Sequence, residues 1–265
     1  MSIKNTVLIL GGTSGIGRGL ARAIHSQGKT VIVTGRRLGR LSALATELPG
    51  LKTSAFDFSN ITELPSNING LFHSYPDIDT VIVSAGIQTF LLFNDNPTPN
   101  YDIVSQEVAI NLTAPIVLCQ ILVPVLLKKS KPCSIILISS GLAFVPVPFF
   151  PVYGPTKAAL HAFAIALRSQ TAGTNINVTE VFPPYVETEL LEEHKARVIE
   201  ISGGPDKAPK PMPLSEFTEQ LIRKLDTEVD GKPLSEVGIG AFPEMAITAW
   251  RGAIGPLLEK FHVVG

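Results

Sequence analysis

A doubly wound α/β domain built on a parallel sheet is predicted by three features of the chain. Short unbroken apolar runs, Val7-Leu-Ile-Leu10 first among them, alternate with longer helical patterns, as strands covered on both faces do. The first run leads at once into a glycine-rich turn, Gly11-Gly-Thr-Ser-Gly15-Ile-Gly17, and then into a helical pattern over 18–27. Strands and helices keep alternating along all 265 residues, with no internal repeat or low-complexity segment, which fits a single domain over 1–265.

Composition narrows the function classes. Hydrophobic residues make up 45% and charged residues 17%, enough for a large core. The net charge is −1 without a basic block, so neither nucleic acid nor an anionic membrane is an expected partner. Cys119 and Cys133 lie in apolar segments without metal-type spacing, and the histidines are scattered singly. Buried free thiols in a reducing compartment and no metal site are therefore expected. The chain shows no charged-then-apolar leader. Its most apolar stretch, 109–127, is interrupted by Asn111, Pro115, Gln120 and Pro124, as in a buried helix rather than a membrane span. A cytoplasmic protein is the expectation.

The elements follow in order. Glycines in the first turn let the backbone approach a pyrophosphate, and the helix behind it offers free N–H groups and a positive dipole. Gly11, Thr13, Ser14, Gly15, Ile16 and Gly17 are thus candidate contacts to a dinucleotide in a Rossmann-type fold. The strand 30–34 ends in Gly35-Arg36-Arg37, where an acid would grip the ribose 2′-hydroxyl of NAD. Arginine's planar fork suits a 2′-phosphate instead, so NADP(H) is the expected cofactor with Arg36 its reader. Arg37 reads as a solvated start to a helix over 37–48.

A strand over 51–55 leads to Asp57, which could cap a helix over 61–74. The strand 79–83 leads to Ser84-Ala85-Gly86, then a polar loop over 88–100 and a long apolar helix over 101–129 containing Asn111. A buried asparagine there needs a hydrogen-bonding partner. The strand 133–138 ends in Ser139-Ser140, and every residue over 142–152 is apolar or proline, as a pocket wall for an apolar substrate or a surface buried on a partner subunit would be. Tyr153 and Lys157 follow, four apart at the start of a strong helical run, so they share one helix face. An ammonium held near a phenol is expected to draw its pKa down from about 10, which makes it a usable proton donor or acceptor.

The turn Gly-x-x-x-Gly-x-Gly with Tyr-x-x-x-Lys far downstream resembles the short-chain dehydrogenases/reductases, and the resemblance spans nearly the whole chain. It implies a parallel sheet of about seven strands and a small-molecule carbonyl or alcohol substrate. It also implies a catalytic set of Asn111, Ser140, Tyr153 and Lys157. Ser140 precedes Tyr153 by thirteen residues, the family's separation, with Ser139 the competing choice. By the same resemblance Asp57 contacts adenine, Ala85 and Gly86 pack on a ribose, and Asn111 anchors a proton-relay water. Pro183, Val186 and Thr188 pass over the nicotinamide. The chain departs from the family at Val83-Ser84, where asparagines are usual, and at Pro184, where glycine is.

Beyond a strand over 176–182, the charged, glycine- and proline-rich stretch 187–213 reads as a mobile lid that orders on binding. A helix over 215–229, a short strand over 237–239 and a helix over 244–261 complete the chain. That last helix could cap its own core or pair subunits into a homodimer or homotetramer. An NADP(H)-dependent carbonyl reductase or alcohol dehydrogenase is the expected activity. Imine reduction, cofactor-assisted cyclisation or a non-catalytic NADP-binding role are the alternatives.

Overall fold

The computed structural model describes residues 2–94, 100–192 and 194–263. Part of the expected 88–100 loop and Glu193 of the expected lid lie outside the described residues.

The sheet starts with β1 (Thr6–Leu10), β2 (Thr30–Gly35), β3 (Lys52–Ala55) and β4 (Thr80–Val83). It continues with β5 (Cys133–Ile138) and β6 (Ile176–Phe182). A two-residue pair, β7 (Glu228–Val229) and β8 (Lys232–Pro233), precedes the last strand β9 (Glu236–Gly238). The seven-stranded sheet has the order β3-β2-β1-β4-β5-β6-β9, and all of its pairs are parallel. The chain winds outward from β1 to β3, then returns to β4 on the other side of β1. The switch point between β1 and β4 is where such sheets open a crevice for a ligand.

The helices are α1 (Gly15–Ser26), α2 (Leu38–Glu47), α3 (Leu64–Ser74), α4 (Tyr101–Val108) and α5 (Ala114–Leu127). They continue with α6 (Tyr153–Thr171), α7 (Glu189–Glu192), α8 (Lys195–Ile201), α9 (Leu214–Leu225) and α10 (Ala241–Lys260). One core layer joins the sheet to α3, α5 and α6 through residues such as Leu71, Leu118, Leu122 and Leu160. The other joins it to α1, α2 and α9 through Leu20, Ile24, Leu44, Phe217 and Leu221. Both free cysteines are buried in the first layer, in keeping with their apolar surroundings in the sequence.

Several boundaries move for identifiable reasons. The helix expected from 61 opens as a 3₁₀ turn, Ile61–Glu63, and becomes α-helical where Pro65 enters the first turn. The helix expected over 215–229 stops at Leu225, because Asp230 and Gly231 both take positive φ (51° and 73°) and fold 228–233 into a hairpin. The long helix over 101–129 is interrupted by a π turn, Ala109–Thr113. Residues Tyr101–Leu127 are long and apolar enough to cross a membrane, with a mean hydropathy of 2.1 over their most apolar 18-residue window. Ala114, Leu118, Cys119, Leu122 and Leu126 of this stretch are instead buried in the core.

Candidate active site

The glycine turn is folded tightly onto the switch point. Gly11 and Gly12 both donate their N–H to Thr34 O, at 3.1 and 3.0 Å. Gly11 has φ +89°, and a side chain on it would come within 2.5 Å of Ala85 N. Gly17 is buried one level below, where any Cβ would run into the Gly11 carbonyl oxygen. Gly11, Thr13, Ser14, Gly15 and Ile16 line a cleft of about 640 Å³ at the C-terminal edge of the sheet. Gly17 shapes the cleft's floor without lining it. The start of α1 already attracts an anion. Glu189 Oε2 accepts from Gly15 N at 2.9 Å, and Oε1 pairs with Arg18 at 2.9 Å. A backbone cradle that side chains would fill, opening at a helix start that binds carboxylate, fits a dinucleotide pyrophosphate.

Arginines crowd one end of the cleft. Arg36 is more than half exposed and faces Asp57 at 3.9 Å, a long and weak ion pair. Arg37, expected to be solvated, instead bonds across the turn to Thr13 Oγ1 and Ser14 Oγ, at 2.8 and 2.7 Å. Sequence spacing does not reveal this, because Thr13 and Ser14 reach Arg37 only after β1 and β2 pair. Burial, then the nearby Arg40 and Arg36, hold the Arg37 pKa below its usual value. Asp57 does not cap α3. Its Oδ1 accepts from Ser59 N and Ser59 Oγ, both at 2.8 Å, in a local turn beside the cleft. Ala85 and Gly86 line the same cleft from the end of β4.

Tyr153 opens α6 and Lys157 lies one turn on, both nearly fully buried and both lining the cleft. The Lys157 ammonium is 5.5 Å from the Tyr153 ring centroid, and it donates to Ile138 O at 3.0 Å. Ser140 ends β5 beside the phenol. Its Oγ accepts from Leu142 N at 3.1 Å and makes a hydrogen bond that lowers the Tyr153 pKa. Ser139 is also buried, but its hydroxyl has no partner among the described residues, and the phenol's contact is with Ser140. The expected depression of the phenol's pKa is not found in the protein alone. Burial pushes Tyr153 up to about 12, outweighing the Ser140 contact, and Glu107 adds to the rise. Burial likewise pulls Lys157 down to about 8, against the upward pull of Glu180 and Glu107. For both groups removal from water outweighs the contacts that oppose it.

Asn111 is fully buried in the π turn, behind the cleft rather than on its wall. Its carboxamide pairs with both backbone groups of Ile87, accepting from N at 2.9 Å and donating to O at 2.8 Å, and reaches Thr156 Oγ1 at 3.4 Å. It therefore clamps the chain leaving β4 against the helix that bears Lys157. One turn beyond Lys157, His161 Nδ1 bonds Glu180 at 2.8 Å. Glu236 close by takes a two-pronged bond from Arg251, at 2.6 and 2.7 Å, and another from Arg168 at 3.1 Å. Both arginines thus fall on Glu236, and Glu180 keeps only His161, its Oε1 buried without a partner among the described residues.

The remaining walls come from the apolar stretch and the segment after β6. Leu142, Val145, Val147, Phe149 and Phe150 line the cleft. Pro183, Pro184, Val186 and Thr188 line it from β6. Pro183 O accepts from Gly141 N at 3.0 Å, and Pro184 is accommodated without a cis bond. The expected lid folds as α7 and α8 and is stapled at its base, where Glu187 N meets Met212 O at 2.9 Å and Met212 N meets Tyr185 O at 2.8 Å. His194 bonds Gln88 O at 2.7 Å and packs near Phe90 and Phe150. Phe242 of α10 also lines the cleft and touches the Gly141 position. The sequence offers no signal for this, since its approach depends on β9 joining the sheet edge.

Comparison with known proteins gives the same grouping. Residues 5–198 match the family described as short chain dehydrogenase. The chain is 35% identical over 192 residues to the "Uncharacterized oxidoreductase DltE" of Bacillus subtilis, covering 72% of this chain and 75% of that one. It is 34% identical over 191 residues to the "Serine 3-dehydrogenase" of Agrobacterium fabrum, covering 71% and 74%. A short chain dehydrogenase from Burkholderia cenocepacia in complex with NADP superposes with a TM-score of 0.75 at 21% identity, over 98% of each chain. With the glycine turn, Ser140, Tyr153 and Lys157 gathered on one cleft of a seven-stranded parallel sheet, the chain belongs to the short-chain dehydrogenases/reductases and is an oxidoreductase of that family.

Proposed function

We propose that this oxidoreductase uses NADP(H) and interconverts a carbonyl and an alcohol on a small molecule with a largely apolar surface. The observation that carries this reading is the single cleft onto which the glycine turn, Ser140, Tyr153 and Lys157 all open. In that cleft the nicotinamide, when bound, supplies or accepts the hydride. Ser140 donates a hydrogen bond to the substrate oxygen, and Tyr153 passes its phenolic proton there as negative charge builds. Lys157 stabilises the phenolate left behind and would hold the nicotinamide ribose. Asn111 fixes the β4 exit against Lys157 and would anchor the water of a proton relay. Pro183, Val186 and Thr188 would hold the nicotinamide ring, and Ala85, Gly86 and Asp57 the adenosine.

NADP(H) is favoured by charge. Arg18, Arg36, Arg37 and Arg40 gather around the turn with Asp57 and Glu189 as the acids paired with them, an excess of positive charge suited to a 2′-phosphate. Arg37 is committed to Thr13 and Ser14, which leaves Arg36 to read that phosphate. The serine 3-dehydrogenase relative acts on a polar substrate, whereas the walls here are Leu142, Val145, Val147, Phe149 and Phe150. Those side chains favour ketones or aldehydes with apolar substituents. A cytoplasmic enzyme working as a homodimer or homotetramer is part of the same reading. The apolar outward side of α5, with Val117, Ile121 and Val125 only partly buried, supports the association of subunits.

The test is consumption of NADPH and of NADH by the purified protein across a panel of apolar ketones and aldehydes. Turnover is expected with NADPH and an apolar carbonyl, and the Arg36→Ala variant is expected to lose about 10–100-fold of the preference for NADPH over NADH. An unchanged preference overturns the role of Arg36. Absence of turnover across the panel overturns the carbonyl reading.

A further inference from the structure

Glu107 is a buried carboxyl that the chemistry above leaves without a role. It lies near the end of α4, one turn before Asn111, where the helix opens into the π turn, and it is fully excluded from solvent. Its Oε1 accepts from Thr89 N at 3.3 Å, and its Oε2 is buried without a partner among the described residues. Ile87 and Thr89 are therefore both held from one side, the first by Asn111 and the second by Glu107. Gly86 sits beside this junction, and a Cβ built on it would lie 3.4 Å from Asn111 Oδ1 and 3.8 Å from Lys157 Nζ. The amide clamp and the ammonium thus meet at one point of the backbone. α4 packs on α6, which bears Lys157 and Tyr153, and the Glu107 charge is felt at both without an ion pair, while the 87–89 segment offers it Thr89 and the π turn only the neutral Asn111.

We propose that Glu107 is a positioning residue that acts through Lys157: its buried carboxylate, one turn before the Asn111 clamp that meets the lysine at Gly86, is a counter-charge to the lysine ammonium. The inference rests on the catalytic reading of Tyr153 and Lys157 given above. The opposing pulls on the pair agree with it. Burial raises Glu107 to about 7, with Thr89 and then Lys157 pulling it down. Burial lowers Lys157 to about 8, with Glu180 and then Glu107 pulling it up. Near neutral pH each charge opposes the desolvation of the other, and an uncharged residue at 107 leaves the lysine supported by Glu180 alone among these acids.

Two measurements on the full chain test this, and they fail separately. In the first, kcat/KM for NADPH-dependent carbonyl reduction is followed against pH. The alkaline limb of Glu107→Gln is expected about half a unit or more below that of the wild type, and Glu107→Asp, which keeps the charge, is expected to return it toward the wild-type position. A limb that stays in place in Glu107→Gln overturns the proposal, whatever the level of activity.

The second measurement needs no substrate. A carboxyl whose pKa is raised on folding binds extra protons in the folded state. Its contribution is therefore fully present below the ordinary carboxylate value and is lost as pH rises toward about 7. The melting temperature of Glu107→Gln minus that of the wild type is expected to grow by about 2–4 °C or more between pH 4.5 and 8. A difference that is flat across that range overturns the buried, titrating state on which the proposal depends. If no carbonyl is turned over yet the melting difference grows, the functional reading falls and the buried ionisation of Glu107 stands.

Discussion

Replacing Tyr153 by phenylalanine is expected to cut kcat/KM for carbonyl reduction by about 10²–10⁴-fold, or about 3–5 kcal/mol of transition-state stabilisation. The variant removes one oxygen from a ring already packed among Phe150, Val198, Leu142 and Phe149, so the melting temperature is expected to change little. The loss is expected on the chemical step because the phenol is the proton source in the proposed mechanism. Lys157 is committed to Ile138 O, and the Ser140 hydroxyl is too weak an acid to give its proton up. The pH dependence adds a second signature. With the phenol held up at about 12, the wild type keeps its proton donor throughout the neutral range and loses rate on the alkaline side as Lys157 deprotonates near 8. Rapid-quench or stopped-flow turnover under saturating NADPH separates this step from binding. Activity in Tyr153→Phe equal to wild type removes the phenol from the mechanism.

The second large effect is expected at Gly17. An alanine there forces its methyl into the Gly11 carbonyl oxygen and against Gly12 Cα, which are backbone atoms and cannot rotate away. Overpacking of this kind costs about 1–3 kcal/mol of stability, and relief requires the turn to lift from the start of α1. NADPH affinity is therefore expected to fall at least about 10-fold, as read by quenching of protein fluorescence, together with a lower melting temperature. An alanine variant that binds NADPH as the wild type does would show that the turn's close packing has nothing to do with the dinucleotide. Gly28, where a Cβ would meet nothing within 4 Å, serves as the control for the loss of a glycine as such, although its φ of +75° carries its own strain.

Much of this arrangement is legible in the chain because it is local. Val7 to Leu10 is apolar throughout since both faces of β1 are covered, and the turn after it is made of glycines since the backbone approaches Ala85 there. The four-residue step from Tyr153 to Lys157 sets one helix face without help from the rest of the fold. Features that depend on distant partners are not legible in the same way. Arg37 reads as solvated because Thr13 and Ser14 are its partners only across two strands. The phenol's acidity escapes the sequence because spacing reports that two groups are near, whereas the pKa depends first on how much water surrounds them. Glu107 sits in the polar stretch Ser105-Gln106-Glu107 and resembles an ordinary surface acid. The packing of α4 on the 87–89 segment and on α6 buries it. The hairpin at Asp230-Gly231 is marked by its residues, yet the helical pattern before it extends the expected helix four residues too far.

The Ser140 hydroxyl bears on which electrophile the cleft accepts. One lone pair of its oxygen already receives the Leu142 amide, so one hydrogen and one lone pair are left for the phenol and an incoming molecule to share. A ketone oxygen offers lone pairs to that hydrogen. A protonated imine nitrogen has no lone pair for that hydrogen and can be met only by the one lone pair left on the oxygen, for which the phenol competes. Cyclic iminium compounds are accordingly expected to turn over at least about 10-fold more slowly than ketones of the same size and shape, a comparison that competing-substrate assays read directly.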